Sequence, residues 1–139
     1  MPKPSAAPTT RPPESEKLTL NLGYVDLGRI DLLVADGFYA NRSDFIRTAI
    51  RDGLRRHDEA VAASSRRRKL EAGLVRLSRL DLEAAVAAGE RLDLAVLGLA
   101  VIADDVTPDL ARRAIGSIQV LGAFQASPAV KAALADRIA

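Results

Sequence analysis

In "EKLTLNLGYV" (16–25), Leu18, Leu20 and Leu22 alternate with Lys17, Thr19 and Asn21 until Gly23 ends the run. A period of two predicts a strand with one apolar and one polar face. The period then lengthens. "VDLGRIDLLVADG" sets Leu27, Ile30, Leu33 and Val34 on one helical stripe, with Asp26 as N-cap and Gly37 as the stop. "ANRSDFIRTAIRDGLRRH" repeats that spacing at Phe45, Ile46, Ala49, Ile50 and Leu54, which predicts a helix from residue 42 into the high 50s. Asn41, followed three residues later by Asp44, spells a capping-box-like start with Asp in place of the usual Glu. Residues 17–57 therefore read as strand, helix, helix, joined by the tight connection "DGFYA".

The second half follows another pattern. "LVRLSRLDLEAAVAAGE", "LAVLGLAVIADDVTPDLARRAI" and "IQVLGAFQASPAVKAALADRI" each run from a short apolar strand through a turn into a helix. Val96-Leu97-Gly98 recurs as Val120-Leu121-Gly122. Thr107-Pro108 and Ser127-Pro128 each place an N-cap before a Pro at the first helical position. The helices that follow are expected to bury Leu110, Ala114 and Ile115, then Val130, Ala133 and Leu134. A β-α unit at this period falls in the range of leucine-rich solenoids, although the consensus Asn/Cys position is absent. The fold class is α+β. The chain divides into an arm over 1–16, the strand-helix-helix unit over 17–57, a helical extension or basic linker over 58–72, and a small repeat-like β/α domain over 73–139.

The N-terminal unit cannot stand alone. One strand with an unpaired edge and two amphipathic helices fall below what a single core supports. A two-fold dimer solves this: the strand pairs antiparallel with its own copy, and the helices interlock over both stripes. Leu18, Leu20 and Leu22 then face a shared core, while Lys17, Thr19 and Asn21 of both copies project outward. A two-stranded ribbon fits the major groove, where Lys reaches guanine acceptors, Asn pairs with adenine and Thr meets a base edge or the thymine methyl.

These residues resemble a known family. "KLTLNLGYVDLGRIDLLVADGFYANRSDFIRTAIRDGL" is similar to the ribbon-helix-helix DNA-binding domain of CopG-type regulators, most recognisably at "NRSDFIRTAI". The resemblance implies an obligate homodimer on double-stranded DNA, with Lys17, Thr19 and Asn21 contacting bases. It also implies that Asn41, Arg42 and Ser43, at the start of the second helix, clamp backbone phosphate. Free amides and the helix dipole favour an anion at such a place. The dimer core would comprise Leu18, Leu20, Leu22, Ile30, Phe45, Ile46 and Ile50. One departure is "LGYVDLG", where many relatives have a proline entering the first helix. The resemblance stops at about residue 57, and no named family is recognised beyond it.

Composition narrows the chemistry. The chain has 139 residues, 48% of them hydrophobic, with no Cys, no Trp and one His. Disulfides, thiolate metal sites and Cys nucleophiles are excluded. The net charge of +2 is too small to announce a nucleic-acid partner, but it belongs to the N-terminal part. Residues 1–57 carry nine Lys/Arg against seven Asp/Glu, and residues 58–139 carry eleven of each. The arm "MPKPSAAPTTRPPESE" is too polar and Pro-rich to bury a core and reads as disordered. It lacks the apolar stretch of a secretory signal. The longest apolar run, "LAVLGLAVIA" (94–103), is about half of a bilayer-spanning helix. No membrane association follows, and a cytoplasmic, nucleoid-associated protein is expected.

Each candidate has a plainer competitor. Lys17, Thr19 and Asn21 also suit the solvated face of an edge strand, although proteins normally protect such edges. Arg42 also suits an ordinary helix surface. His57 reads as solvated, because one His without Cys makes no metal site. "RRRK" (66–69) reads as a solvated stretch or an extra phosphate contact. Asp104-Asp105 reads as a strand-to-helix turn.

No acid–base or nucleophile constellation appears, and no cofactor motif or metal cluster, so an enzyme is not expected. The leading expectation is a sequence-specific transcriptional regulator, a repressor that blocks promoter access. The first alternative is an antitoxin whose C-terminal part masks a toxin. The second is an architectural or segregation protein that coats DNA by polymerising through its C-terminal domain. For residues 73–139, self-assembly into a higher oligomer or a protein partner is favoured over ligand sensing.

Overall fold

The computed structural model describes residues 15–139. The arm expected over 1–16 falls almost wholly outside them. Helix and strand are mixed, and the described chain forms two compact units that divide between Ser64 and Ser65.

In the first unit, residues 16–23 carry neither helix nor strand. A strand needs a partner ladder, and among the described residues no other segment supplies one. Helix α1 spans Tyr24–Ala35, with Gly23 as its N-cap and no side-chain cap. This corrects the expectation for Asp26. The cap falls earlier, at Gly23, and Asp26 lies in the first turn, where its charge meets the free amides of the helix start. At the other end Gly37 has φ +84°, its N–H donates to the Val34 carbonyl (3.1 Å), and the Phe38 N–H donates to Leu33 (2.9 Å). That double bond pattern requires the left-handed conformation, which glycine adopts without penalty.

Helix α2 spans Arg42–Arg56, and the Asn41 side chain caps it by accepting from the Asp44 N–H (2.8 Å). The reciprocal half of the box is shifted. The Asp44 carboxylate accepts from the Ala40 N–H (2.9 Å), one residue before the position a capping box uses. Tyr39 packs edge-on against Phe45 with ring centroids 5.0 Å apart, which ties the connecting loop to α2. His57 interrupts the helix, and α3 follows over Asp58–Arg68. It closes with the same pattern as α1: the Lys69 N–H donates to Arg66 (3.1 Å) and the Leu70 N–H to Ser65 (3.0 Å). Here a lysine at φ +53° occupies the left-handed position.

The second unit is built from β1 (Glu71–Leu77), α4 (Arg79–Ala87), β2 (Leu92–Ile102), α5 (Pro108–Ala114), β3 (Ile115–Gln125), α6 (Pro128–Ala133) and a 3₁₀ turn over Ala135–Arg137. The strands form one parallel sheet in the order β1-β2-β3. Parallel neighbours need crossovers, which α4 and α5 provide. The helix starts follow from the sequence. Thr107 accepts from the Leu110 N–H and Ser127 from the Val130 N–H, both at 3.2 Å. Ser78 and Asp81 form a complete capping box on α4 (3.1 and 2.9 Å). Asp104 and Asp105 sit in the turn after β2, as their spacing implied.

Leu82, Leu110, Ala114 and Val130 from the helices meet Leu94, Ile102 and Ile118 from the strands in one buried cluster. Ile115 is buried too, but as the first residue of β3 and not as part of α5. The register sets Val96 beside Val120, and Gly98 between Gly73 and Gly122. Leu74, Leu97, Leu99 and Leu121 take the alternate positions, and none belongs to the cluster.

Candidate nucleic-acid interface

The residues expected to read bases lie on the segment before α1. Lys17, Thr19 and Asn21 are exposed, but so are the leucines between them: Leu18 at 75%, Leu20 at 57% and Leu22 at 39%. A single copy therefore does not distinguish an inner from an outer face. The helices behind this segment leave apolar surface open as well. Among the described residues of the first unit only Ile30 is buried. Phe45 and Ile46 are half-buried, and Ile50 and Leu54 are exposed.

Asn41, Arg42 and Ser43 stand together at the start of α2, each for a local reason. Asn41 is spent on the cap. The backbone N–H groups of Arg42 and Ser43 precede the first intrahelical bond, and among the described residues neither has an acceptor. The Asp44 carboxylate sits at the same helix start, so any anion bound there must tolerate its charge.

Arg42 already has a partner. Its Nε and Nη2 donate to the two carboxylate oxygens of Asp31 on α1, each at 2.8 Å. The guanidinium holds the Asp31 carboxyl below the usual aspartate range by hydrogen bonding and then by charge, and the carboxylate raises Arg42 in return. Both side chains are about half exposed, 56% and 50%. The pair is therefore an exchangeable strut between α1 and α2, of small net stability. Sequence spacing gave no sign of it, since the partners are separated by a turn and belong to different helices.

Further positive charge lies along α2 and in the last turn of α3. Arg55 pairs with Asp52 at 3.3 Å, while Arg66, Arg67 and Arg68 are exposed in the last turn of α3. Among the described residues no group of His, Cys, Asp or Glu could hold a metal ion, and no helix is long and apolar enough to cross a membrane.

A family model described as a ribbon-helix-helix transcriptional regulator family matches residues 13–131. The match extends far beyond the stretch that carries the resemblance in sequence, through all three strands and into α6. No curated protein and no solved structure matches the chain.

Proposed function

The chain belongs to the ribbon-helix-helix transcriptional regulator family, and on that premise we propose that it is a CopG-type homodimeric repressor that blocks promoter access in the cytoplasm. The observation that carries this reading is the unpaired segment 16–23, with three exposed leucines at alternate positions. Antiparallel pairing with a second copy satisfies its backbone groups and buries those leucines against the open stripes of α1 and α2. The same pairing leaves Lys17, Thr19 and Asn21 of both copies on the outer side of a ribbon about the width of the major groove. Phosphate contacts at Asn41, Arg42 and Ser43 then set the register of the ribbon on DNA.

In this scheme Arg42 exchanges one bidentate acceptor, the Asp31 carboxylate, for another, a phosphate. Residues 65–139 have a core of their own, which favours a regulator with an assembly or partner-binding module over an antitoxin with a folding-on-binding tail.

Binding to sites selected from random DNA tests the reading. Asn21→Ala should cost roughly 1–3 kcal/mol on the preferred site and relax base preference. Arg42→Ala should weaken all sequences alike and flatten the salt dependence. Asp31→Asn should strengthen binding to all sequences, because the guanidinium is released. Unchanged base preference in Asn21→Ala would remove the ribbon as reader. Weaker binding in Asp31→Asn would make the pair a strut and not a competitor.

A further inference from the structure

Gly73, Gly98 and Gly122 stand side by side across β1, β2 and β3, with φ of +114°, +142° and +122°. Two of them have a second reason to lack a side chain. A Cβ on Gly98 would overlap the Gly73 carbonyl oxygen, and a Cβ on Gly122 would overlap that of Gly98. Each strand thus presses a carbonyl into the slot left by the missing Cβ of the next.

The row is unfinished at both ends. Gly73 has the slot but nothing within 4 Å of it. At the other edge, the Ile118 carbonyl accepts from Ala139 on the outer side of β3 (2.8 Å), so by alternation the Gly122 carbonyl also points outward. One edge offers a carbonyl, and the other offers the slot that receives it.

The lengths match as well. Glu71–Leu77 pairs with Val96–Ile102, and Val96 pairs with Val120. A β1 strand added to β3 in the same register would start at Val120. The part of β3 before that point is covered by Ile138, bridged to Ile118. Among the described residues no bridge lies along the outer side of β3 from Val120 to Phe124. β1 contains no Pro, its charges are Glu71 and Arg76, and in this register Glu71 would lie beside an uncharged Val120.

We propose that the C-terminal units of separate copies join head to tail, β1 of one adding in parallel to β3 of another so that Gly73 receives the Gly122 carbonyl. The occupant of each edge is a second copy of this chain. Every addition uses one edge and leaves another, so the contact is heterologous and open-ended. The inference rests on the assembly role proposed above for the C-terminal domain and is independent of how residues 17–21 read DNA.

The full chain has no cysteine, which makes cross-linking specific. The register Leu74–Leu99–Ala123 would bring Ala123 of one copy beside Leu74 of the next. The double variant Leu74→Cys/Ala123→Cys, treated with a short thiol cross-linker, should give covalent trimers and larger species on a denaturing gel. The Leu77 carbonyl bonds Ala103 on the β2 side, so the Arg76 N–H points to the open edge. Adding Arg76→Pro should therefore abolish the ladder while the thermal transition and DNA affinity stay unchanged. Products no larger than dimers would overturn the proposal, whatever Arg76→Pro does to folding. Efficient covalent dimers from Leu74→Cys alone would also overturn it, by revealing a closed antiparallel β1–β1 pair. Either failure alongside normal DNA binding would leave the regulator reading intact.

Discussion

Residues 16–64 and 65–139 handle apolar surface in opposite ways. The first unit buries only Ile30 among its described residues and leaves Leu18, Leu20, Ile50 and Leu54 in solvent. The second closes a cluster of fully buried side chains, including Leu82, Ile115, Ile118 and Leu134, and among the described residues leaves backbone edges without a neighbouring strand. An exposed apolar stripe calls for a partner that completes a core, whereas an exposed edge calls for one that extends a ladder. Under the proposals above, the two halves of this chain would set different conditions on assembly: the first for completing a core, the second for growing.

The sharpest way to break this contrast is Leu20→Lys. A charge at the centre of the shared ribbon core should abolish amide protection across α1 and α2 while β2 and β3 stay protected. Hydrogen exchange on the full chain measures both at once, and retained protection in α1 and α2 would show that the first unit folds without the ribbon. The converse change is Leu82→Ala. Deleting a fully buried side chain should cost about 2–5 kcal/mol and accelerate exchange in β2 and β3. DNA binding by the first unit should persist, and its loss would show that the halves fold as one.

A smaller effect, of opposite sign, is expected at the joint. Lys69 holds the left-handed position that glycine fills after α1 and α4. Lys69→Gly should raise stability by up to about 1 kcal/mol in thermal melts. A loss would mean that the lysine side chain contributes more than its backbone costs.

The smallest effect is acid sensitivity. Hydrogen bonding and charge from Arg42 lower the pKa of Asp31, and Arg112 does the same for Asp136 in the other unit. A carboxyl whose folded value is depressed stabilises the fold above its unfolded value, about 3.9, and that contribution is lost as pH falls through the folded value. Each unit should therefore lose a small increment below about pH 4. Asp31→Asn should remove that dependence from the first unit alone, as read by amide exchange in α1 and α2.

Local patterns were legible wherever a few neighbouring residues carry the physics. The stripes of α1 and α2, the stop at Gly37, and the caps at Asn41, Thr107 and Ser127 each depend on side chains within one helical turn. Even there, boundaries slipped. Asp26 resembled a cap, but the helix could begin earlier because Gly23 needs no side chain to enter it. The Asp31–Arg42 pair was illegible, since it depends on how α1 and α2 cross and not on spacing. Gly73 carries no local mark either. The echo of Gly98 and Gly122 was visible in sequence, but its third member falls in a segment without the Val-Leu-Gly signature.

By itself the sequence determined the alternation of 17–22, the two amphipathic helices after it, and the β-α order of the second half, because periodicity and capping are local. Only tertiary structure decided that three distant glycines share one row, that Asp31 occupies the Arg42 guanidinium, and that Ile138 covers one end of β3. Those outcomes depend on strand register and helix crossing, which arise from packing between segments far apart in the chain and leave no mark on the spacing of residues within any one of them.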